Sequence, residues 1–284
     1  MSELVPVLLR FALYLDLMLV FGLGLFGWYA DSRLLHLKSR LRMLACLGVL
    51  LSMVLLLSMT QAISGAEDWQ TLRTHLQVML WQTELGWTWW LRIAVLVLVA
   101  FNTRLAPLCG GVALVTLAWT GPGVMHEGAL GAWHMFSDGV HLLAAAGWVG
   151  ALVAFGLLLM CASSQAVPVL ARALAGFERM GAVFVGGLII TGVANYLFVV
   201  GPNLDGITRG TYAILLCLKL GLFGLMLGLA ALNRWHLTPL LQRSLAAGDV
   251  TAAHKTLRRS IGLECAAVVL ILVLVAWLGT LAPN

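Results

Sequence analysis

The sequence has few charged residues. Only 10% of its 284 residues are Asp, Glu, Lys or Arg, whereas about 25% is usual in a soluble domain. So few charges cannot cover the surface of a water-soluble protein of this size. Intrinsic disorder is excluded for the opposite reason, because disordered chains are polar and highly charged. The class of protein that remains is one whose surface faces lipid.

Cysteine motifs and a cleavable signal are missing as well. The five cysteines have no CxxC spacing and all lie within or beside apolar runs, which excludes a disulfide framework and a thiolate metal site. The first apolar run begins almost at Met1, carries Arg10 and Asp16, and has no small-residue cleavage site. We therefore predict that this run is a membrane-spanning helix and not a signal peptide.

Apolar residues are abundant and make up 61% of the chain. A helix needs about 20 of them in succession to cross the hydrocarbon core of a bilayer. Eight such runs are present, at residues 4–29, 42–63, 85–102, 105–121, 133–160, 178–200, 211–234 and 260–281. We predict an all-α fold: a polytopic membrane helix bundle with eight transmembrane helices, forming one domain over residues 1–284 with the lipid bilayer as its surroundings.

The basic residues predict the orientation of the chain. Twelve Lys and Arg side chains fall in the odd-numbered connections between the predicted spans, and only Arg73 and Arg209 fall in the even-numbered ones. Loops rich in Lys and Arg face the cytoplasm, so both termini are predicted to be periplasmic in a bacterial inner membrane. The net charge of +5 is therefore a signal of topology, and nucleic acid is not a predicted partner.

Two of the connections are predicted to carry surface helices. Residues 64–84 have apolar side chains at helical spacing, which predicts a short amphipathic helix on the membrane surface. The basic stretch 236–258 is interrupted by Pro239 and by Gly248, which predicts two short surface helices. Small residues within the spans, Gly22 among them, predict close helix packing.

Ionisable side chains at membrane depth are the most informative residues. Each destabilises the protein by a few kcal/mol unless it is paired with another polar group or hydrated. At about 1.5 Å of rise per residue, one group lies roughly 7–12 Å below the outer boundary. Its members come from four helices: Arg10, Arg92, Asp138, His141 and Lys219. Asp16 lies nearer the midplane, and Glu264 lies in the inner third of the last span. The group is either a charge-paired structural layer or a polar site that opens to the periplasm.

The fifth predicted span favours the second interpretation. His134, Asp138 and His141 lie at about 0°, 40° and −20° around the helix axis, so they share one face. Met135 lies beside them, and Met125 and His126 precede them in a glycine-rich loop. Imidazole suits several transition metals, and thioether ligands favour Cu(I). These residues are a candidate metal set, although a single histidine in a helix is as often a hydrogen-bonded core residue.

Several segments, taken together in order and spacing, resemble the bacterial copper resistance D (CopD) family of inner-membrane proteins. The segments are Arg10-Phe11, Arg92 after a tryptophan cluster, the run from His141 to Gly150 with Trp148, Thr191 to Asn195, Lys219, Asn233-Arg234, Glu264 and Leu281-Ala282-Pro283. The resemblance implies eight helices and copper movement across the inner membrane toward the cytoplasm. It also implies a periplasmic copper-binding partner of the CopC type. This is transport and not enzymatic catalysis.

The chain departs from that family pattern at three places. Many relatives have a histidine where this chain has Leu13, many have Gly-His where it has Gly121-Pro122, and some have a histidine at the position of Asp138. These departures affect the ligand set more than the family assignment. The resemblance leaves the oligomeric state open, so a homo-oligomer is compatible with it.

A second function is open because three fixed cations share the depth of the metal set. Arg10, Arg92 and Lys219 would repel a copper ion unless carboxylates such as Asp138 and Asp16 neutralise them. Alternatively, the three cations would bind the propionates of a b-type haem whose iron is held by His134 or His141. The alternative to copper transport is therefore a haem-binding membrane redox protein. In the copper interpretation, the ion passes from the periplasmic mouth down the bundle toward Asp16.

Overall fold

The protein is helical throughout the residues that its computed structural model describes, which are 4–65, 68–120, 128–161, 166–201, 210–247 and 251–278. These residues contain no β-strand. They form ten α-helices: α1 (Leu4–Tyr29), α2 (Leu37–Ser64), α3 (Trp69–Gln82), α4 (Glu84–Phe101), α5 (Ala106–Val115), α6 (Gly128–Met160), α7 (Ala166–Val199), α8 (Gly210–Leu232), α9 (Thr238–Ala247) and α10 (Thr251–Leu278). The predicted all-α class is confirmed.

Eight helical segments are long and apolar enough to cross a membrane. They correspond one to one with the eight predicted spans, and the fourth of them combines α5 with a 3₁₀ segment at Thr116–Thr120. Several helices are longer than the apolar runs. The largest difference is at α7, which begins at Ala166 and not at 178, because Val169 and Leu170 are buried and anchor the extra turns against the bundle.

The predicted surface helices are confirmed in one connection and corrected in the other. Residues 69–82 form α3, whose N-terminus is capped by Asp68; the hydrogen bond from the Thr71 backbone lowers the pKa of that carboxyl. The stretch 236–258 has only one short helix, α9, and its last residues are the first turns of α10. The prediction of two helices was wrong because Leu257, which is fully buried, packs these turns into the core. Pro239 lies in the first turn of α9, directly after the π-helical turn Asn233–Leu237, so the chain stays helical on both sides of it.

Helices α1 and α6 form the centre of the bundle. Helix α1 packs against α2, α5, α6 and α10, and α6 packs against α1, α5, α7 and α10. The crossing of α1 and α6 depends on two glycines. A Cβ atom on Gly22 would lie 2.2 Å from the Ala146 carbonyl oxygen, and one on Gly150 would lie 2.2 Å from the carbonyl carbon of Gly22. The two backbones are therefore in direct contact, as small residues permit in membrane helices.

Candidate functional site

The polar face of α6 packs against α7, and each of its three side chains meets one side chain of α7 in antiparallel order. The pairs are His134 with Phe198, Asp138 with Asn195, and His141 with Thr191. We call these six residues the α6–α7 seam. They lie toward the end of the bundle at which α1 begins. The prediction that three α6 residues share one face therefore corresponds to a continuous interhelical contact.

The hydrogen bonds of His141 orient its ring. The Thr191 hydroxyl donates to the Gly187 carbonyl at 2.5 Å, and its oxygen is 2.8 Å from Nδ1 of His141. A hydroxyl has one proton, so the Thr191 oxygen must accept a hydrogen bond from Nδ1–H of His141. In the neutral imidazole, Nε2 then carries the lone pair. Such a bond at one ring nitrogen is how proteins prepare the other nitrogen to bind a metal.

The carboxylate of Asp138 links the seam to its neighbours. Its Oδ1 accepts a hydrogen bond from Nδ2 of Asn195 at 2.6 Å, and its Oδ2 lies 3.8 Å from Nε2 of His134. Asp138 and His141 also lie close enough to Lys219 on α8 to interact with it electrostatically. The Asp138 carboxylate therefore has three neighbours: the amide of Asn195, the imidazole of His134 and the ammonium group of Lys219.

His134 is enclosed more completely than the other two. Its side chain has no exposed surface, and its ring stacks on Phe198 with centroids 4.9 Å apart and planes 23° from parallel. One face of the imidazole is therefore occupied by an aromatic ring. A ligand would reach the ring from the side of Asp138.

The cations at this level have partners other than a ligand. Arg92 is only 4% exposed; its Nε donates to Oγ1 of Thr116 at 2.7 Å, and its Nη2 donates to the Thr116 carbonyl at 3.3 Å. Tyr14 of α1 lies near Arg10, Arg92 and Asp138. The five ionisable residues expected at one depth are thus connected through Tyr14 and Lys219.

Asp16 lies on a different side of α1. A Cβ atom on Gly48 of α2 would be 2.5 Å from Oδ2 of Asp16 and 3.2 Å from Cδ1 of Leu96 on α4. Asp16 therefore faces α2 and α4, whereas the seam faces α7. It is 3% exposed, and among the described residues neither of its carboxylate oxygens has a hydrogen-bond partner. The structure does not bring Asp16 together with the seam.

The candidate metal set is not gathered around one point in the described part of the chain. No three His, Cys, Asp or Glu side chains among these residues are placed to hold a metal ion. The reason is the spacing of the histidines, which share a face but are about 10.5 Å apart along the axis at 1.5 Å per residue. Met135 is partly buried on α6, and Met125 and His126 lie outside the described residues. The metal role of this set stays a prediction.

Four polar residues of the site had no assigned role at the level of sequence. They are Tyr14, Thr116, Thr191 and Asn195. Thr191 and Asn195 are separated by one helical turn in an otherwise apolar span, which places both on one face. That spacing could have identified Thr191 and Asn195 from the sequence. Tyr14 follows Arg10 by the same interval, whereas nothing local to Thr116 indicates that it binds Arg92.

Comparisons with known proteins cover the whole chain. The family model Copper resistance protein D matches residues 171–278, and the model Copper resistance protein D-like, N-terminal domain, matches residues 1–132. The chain is 45% identical to copper resistance protein D of Pseudomonas syringae pv. tomato, with 100% of this chain and 98% of that protein covered. It is 28% identical to inner membrane protein YebZ of Escherichia coli (strain K12), with 97% of each covered. No solved structure matches the chain.

Proposed function

The chain belongs to the copper resistance protein D family and is a multi-pass membrane protein, and from this premise we propose that it moves copper across the bacterial inner membrane. In this proposal copper is the transported substrate. It arrives at the periplasmic side from a copper-binding protein of the CopC type. The protein is a transporter and carries out no covalent chemistry.

The observation that carries the proposal is the orientation of His141. The Thr191 oxygen accepts a hydrogen bond from Nδ1–H, so the opposite ring nitrogen is available as a metal ligand. Imidazole binds copper in both oxidation states. The Asp138 carboxylate on the same face supplies the negative charge that favours a cation there.

Two of the fixed cations, Arg92 and Lys219, have partners near the seam. The Arg92 guanidinium donates hydrogen bonds to Thr116, and Lys219 lies near the Asp138 carboxylate. Hydrogen bonding does not remove the charge of Arg92, so Asp138 offsets one of the positive charges of Arg10, Arg92 and Lys219. Copper binding at His141 must therefore overcome the remaining positive charge.

We propose an order of contacts for the ion. Met125, His126 and Met135 receive copper at the mouth, because thioethers exchange soft Cu(I) readily. His141, Asp138 and His134 bind it next. Since Asp16 faces α2 and α4, the ion must pass around α1 to reach it. The buried carboxylate of Asp16 has no hydrogen-bond partner among the described residues. This supports the assignment of Asp16 as a later binding site on the path of the ion.

The residues fit the alternative of a b-type haem less well. A haem iron on His134 would need room for a porphyrin beside a ring that is fully buried and stacked on Phe198. Propionate binding by Arg92 would displace its two hydrogen bonds to Thr116. We therefore expect the purified protein to have no Soret band.

The test combines metal content with transport. We expect the purified protein to bind copper in roughly stoichiometric amount, and cells that produce it to accumulate copper. His134→Ala and His141→Ala should abolish the accumulation at matched membrane abundance. The control is His75→Ala, since His75 is an exposed residue of α3 and should have no effect. Wild-type accumulation by both seam variants, or a Soret band that either variant removes, would rule out the proposed copper site.

We also propose that both termini are periplasmic, because twelve Lys and Arg residues fall in the odd-numbered connections. A reporter domain fused after Asn284 should be active only when it folds in the periplasm. Activity of a cytoplasm-specific reporter at the same position would reverse the orientation and place the seam on the cytoplasmic side.

A further inference from the structure

A second buried polar group lies where α8 ends against α10, toward the opposite end of the bundle from the seam. Asn233, Ser260 and Glu264 are 8%, 5% and 1% exposed. Nδ2 of Asn233 donates a hydrogen bond to Oε1 of Glu264. Ser260 precedes Glu264 by four residues on α10, so both lie on one face of the helix. We call these three residues the Glu264 cluster.

Two oxygen atoms of the cluster lack hydrogen-bond partners. Among the residues that the structure describes, Oδ1 of Asn233 and Oγ of Ser260 are buried and unbonded. A buried polar atom without a partner costs about 1–3 kcal/mol, so native proteins retain one only where something else compensates. Because the Asn233 amide is bonded to Glu264, its free oxygen lies beside the carboxylate. The cluster therefore offers the two Glu264 oxygens and two further oxygens from neutral side chains.

The backbone is also irregular at this point. Asn233 begins a five-residue π-helical turn, Asn233–Leu237, which joins α8 to α9. Such turns are rare and occur frequently at functional sites. In membrane transporters, interrupted helices place freed backbone carbonyls next to bound cations. The π-turn therefore marks the cluster as a place where the helical backbone is irregular.

The described part of the chain supplies no cationic partner for the charge of Glu264. Within the described ranges Glu264 takes part in no ion pair. Arg234 follows Asn233 in sequence, but its exposed side chain pairs with Glu178 at 2.5 Å. Arg258 and Arg259 are exposed. A carboxyl group at membrane depth is neutralised either by a proton or by a compensating positive charge. A monovalent cation would leave the cluster neutral, whereas a divalent ion would leave one buried positive charge.

We propose that the Glu264 cluster binds a sodium ion. All its ligand atoms are oxygens, which suit hard cations, and it contains neither imidazole nor thioether, which suit copper. One carboxylate with neutral amide and hydroxyl oxygens balances the charge of a monovalent ion. This site goes beyond the copper proposal and does not depend on it, since it shares no residue with the α6–α7 seam.

The test is the thermal stability of the purified full-length protein without copper, in NaCl or in choline chloride at equal ionic strength and fixed pH. A ligand that binds only the folded state stabilises it. We expect saturating sodium to raise the melting temperature by about 2–5 °C over choline, and potassium to have no effect. Glu264→Gln should abolish the sodium shift, and Ser260→Ala should require at least threefold more sodium. The control Glu178→Gln, on the neighbouring surface, should keep the full shift.

Several results would overturn the proposal. One is an equal melting temperature of the wild-type protein in sodium and choline, together with no binding of radioactive sodium ions. Another is a full sodium shift in Glu264→Gln. A third is a wild-type melting temperature that depends on pH because of Glu264 but does not depend on sodium. That result would show that a proton occupies the cluster instead. If Glu264→Gln does not fold, an unchanged sodium titration of Ser260→Ala decides against the site.

Discussion

The α6–α7 seam and the Glu264 cluster are both buried polar groups within an apolar bundle, but their chemistry differs. The seam combines imidazole nitrogens with a carboxylate, and its Asp138 and His141 are bonded to Asn195 and Thr191. The cluster contains oxygen ligands alone, and two of them are unbonded among the described residues. Nitrogen ligands suit transition metals and oxygen ligands suit hard cations. The two ends of the bundle therefore differ in the type of ligand atom that they offer: nitrogen with a carboxylate in the seam, and oxygen alone in the Glu264 cluster.

The two sites also differ in what holds them. The seam depends on α6, which is positioned by direct backbone contact with α1 at Gly22 and Gly150. The Glu264 cluster depends on the packing of α10 against α8 and the π-turn. A change at the crossing of α1 and α6 should therefore act on the seam first.

The largest expected effect comes from Gly150→Ala. The added Cβ would lie 2.2 Å from the Gly22 carbonyl carbon, so α6 must move away from α1, at a cost of about 3 kcal/mol or more. We expect a fall in membrane abundance and in melting temperature, together with loss of copper binding. Gly156→Ala is the matched control, because nothing lies within 4 Å of its Cβ. Equal stability of the two variants would show that the crossing is not tightly packed.

The second prediction compares two substitutions, each of which removes the negative charge of one site. Asp138→Asn removes the negative charge of the seam but keeps the shape of the side chain, and we expect copper affinity to fall by about tenfold or more. The sodium shift in melting temperature should be unchanged. Glu264→Gln should show the opposite pattern, with copper binding retained and the sodium shift lost. If either variant impairs both ions, the two sites are not separate.

The smallest effect is expected from Thr191→Val, which tests the positioning of His141. Valine cannot accept a hydrogen bond from Nδ1–H, so the imidazole ring of His141 loses its orientation. Copper affinity should then fall by about tenfold. Thr191→Ser keeps the hydroxyl and should restore the wild-type affinity. The measurement is copper binding in competition with a chelator of known affinity. A loss of equal size in the serine variant would show that the hydroxyl of Thr191 does not position His141.

Much of the fold followed from local pattern. The predicted eighth span began at 260, however, whereas α10 begins at Thr251, because a run of apolar residues marks the hydrocarbon core and not the ends of a helix. Helical periodicity correctly placed His134, Asp138 and His141 on one face. The same helical rise of about 1.5 Å per residue already places the two histidines about 10.5 Å apart along the axis, too far for both to bind one ion.

The partners of each polar side chain were decided by helix rotation and register. Thr191 meets His141 and Asn195 meets Asp138 only because α7 presents that face to α6. The same is true of Asp16, which points at Gly48 and not at the seam.

The sequence by itself determined that this chain is a membrane helix bundle with eight candidate spans, since hydrophobic length is a local property that can be counted along the chain. It also predicted which ionisable residues lie at membrane depth, and among these Asp16, Arg92 and Glu264 are buried. Only the tertiary structure decided which oxygen or nitrogen each of those charges meets. That choice depends on the rotation and axial offset of helices distant in sequence, and close contacts such as Gly22 with Gly150 set both.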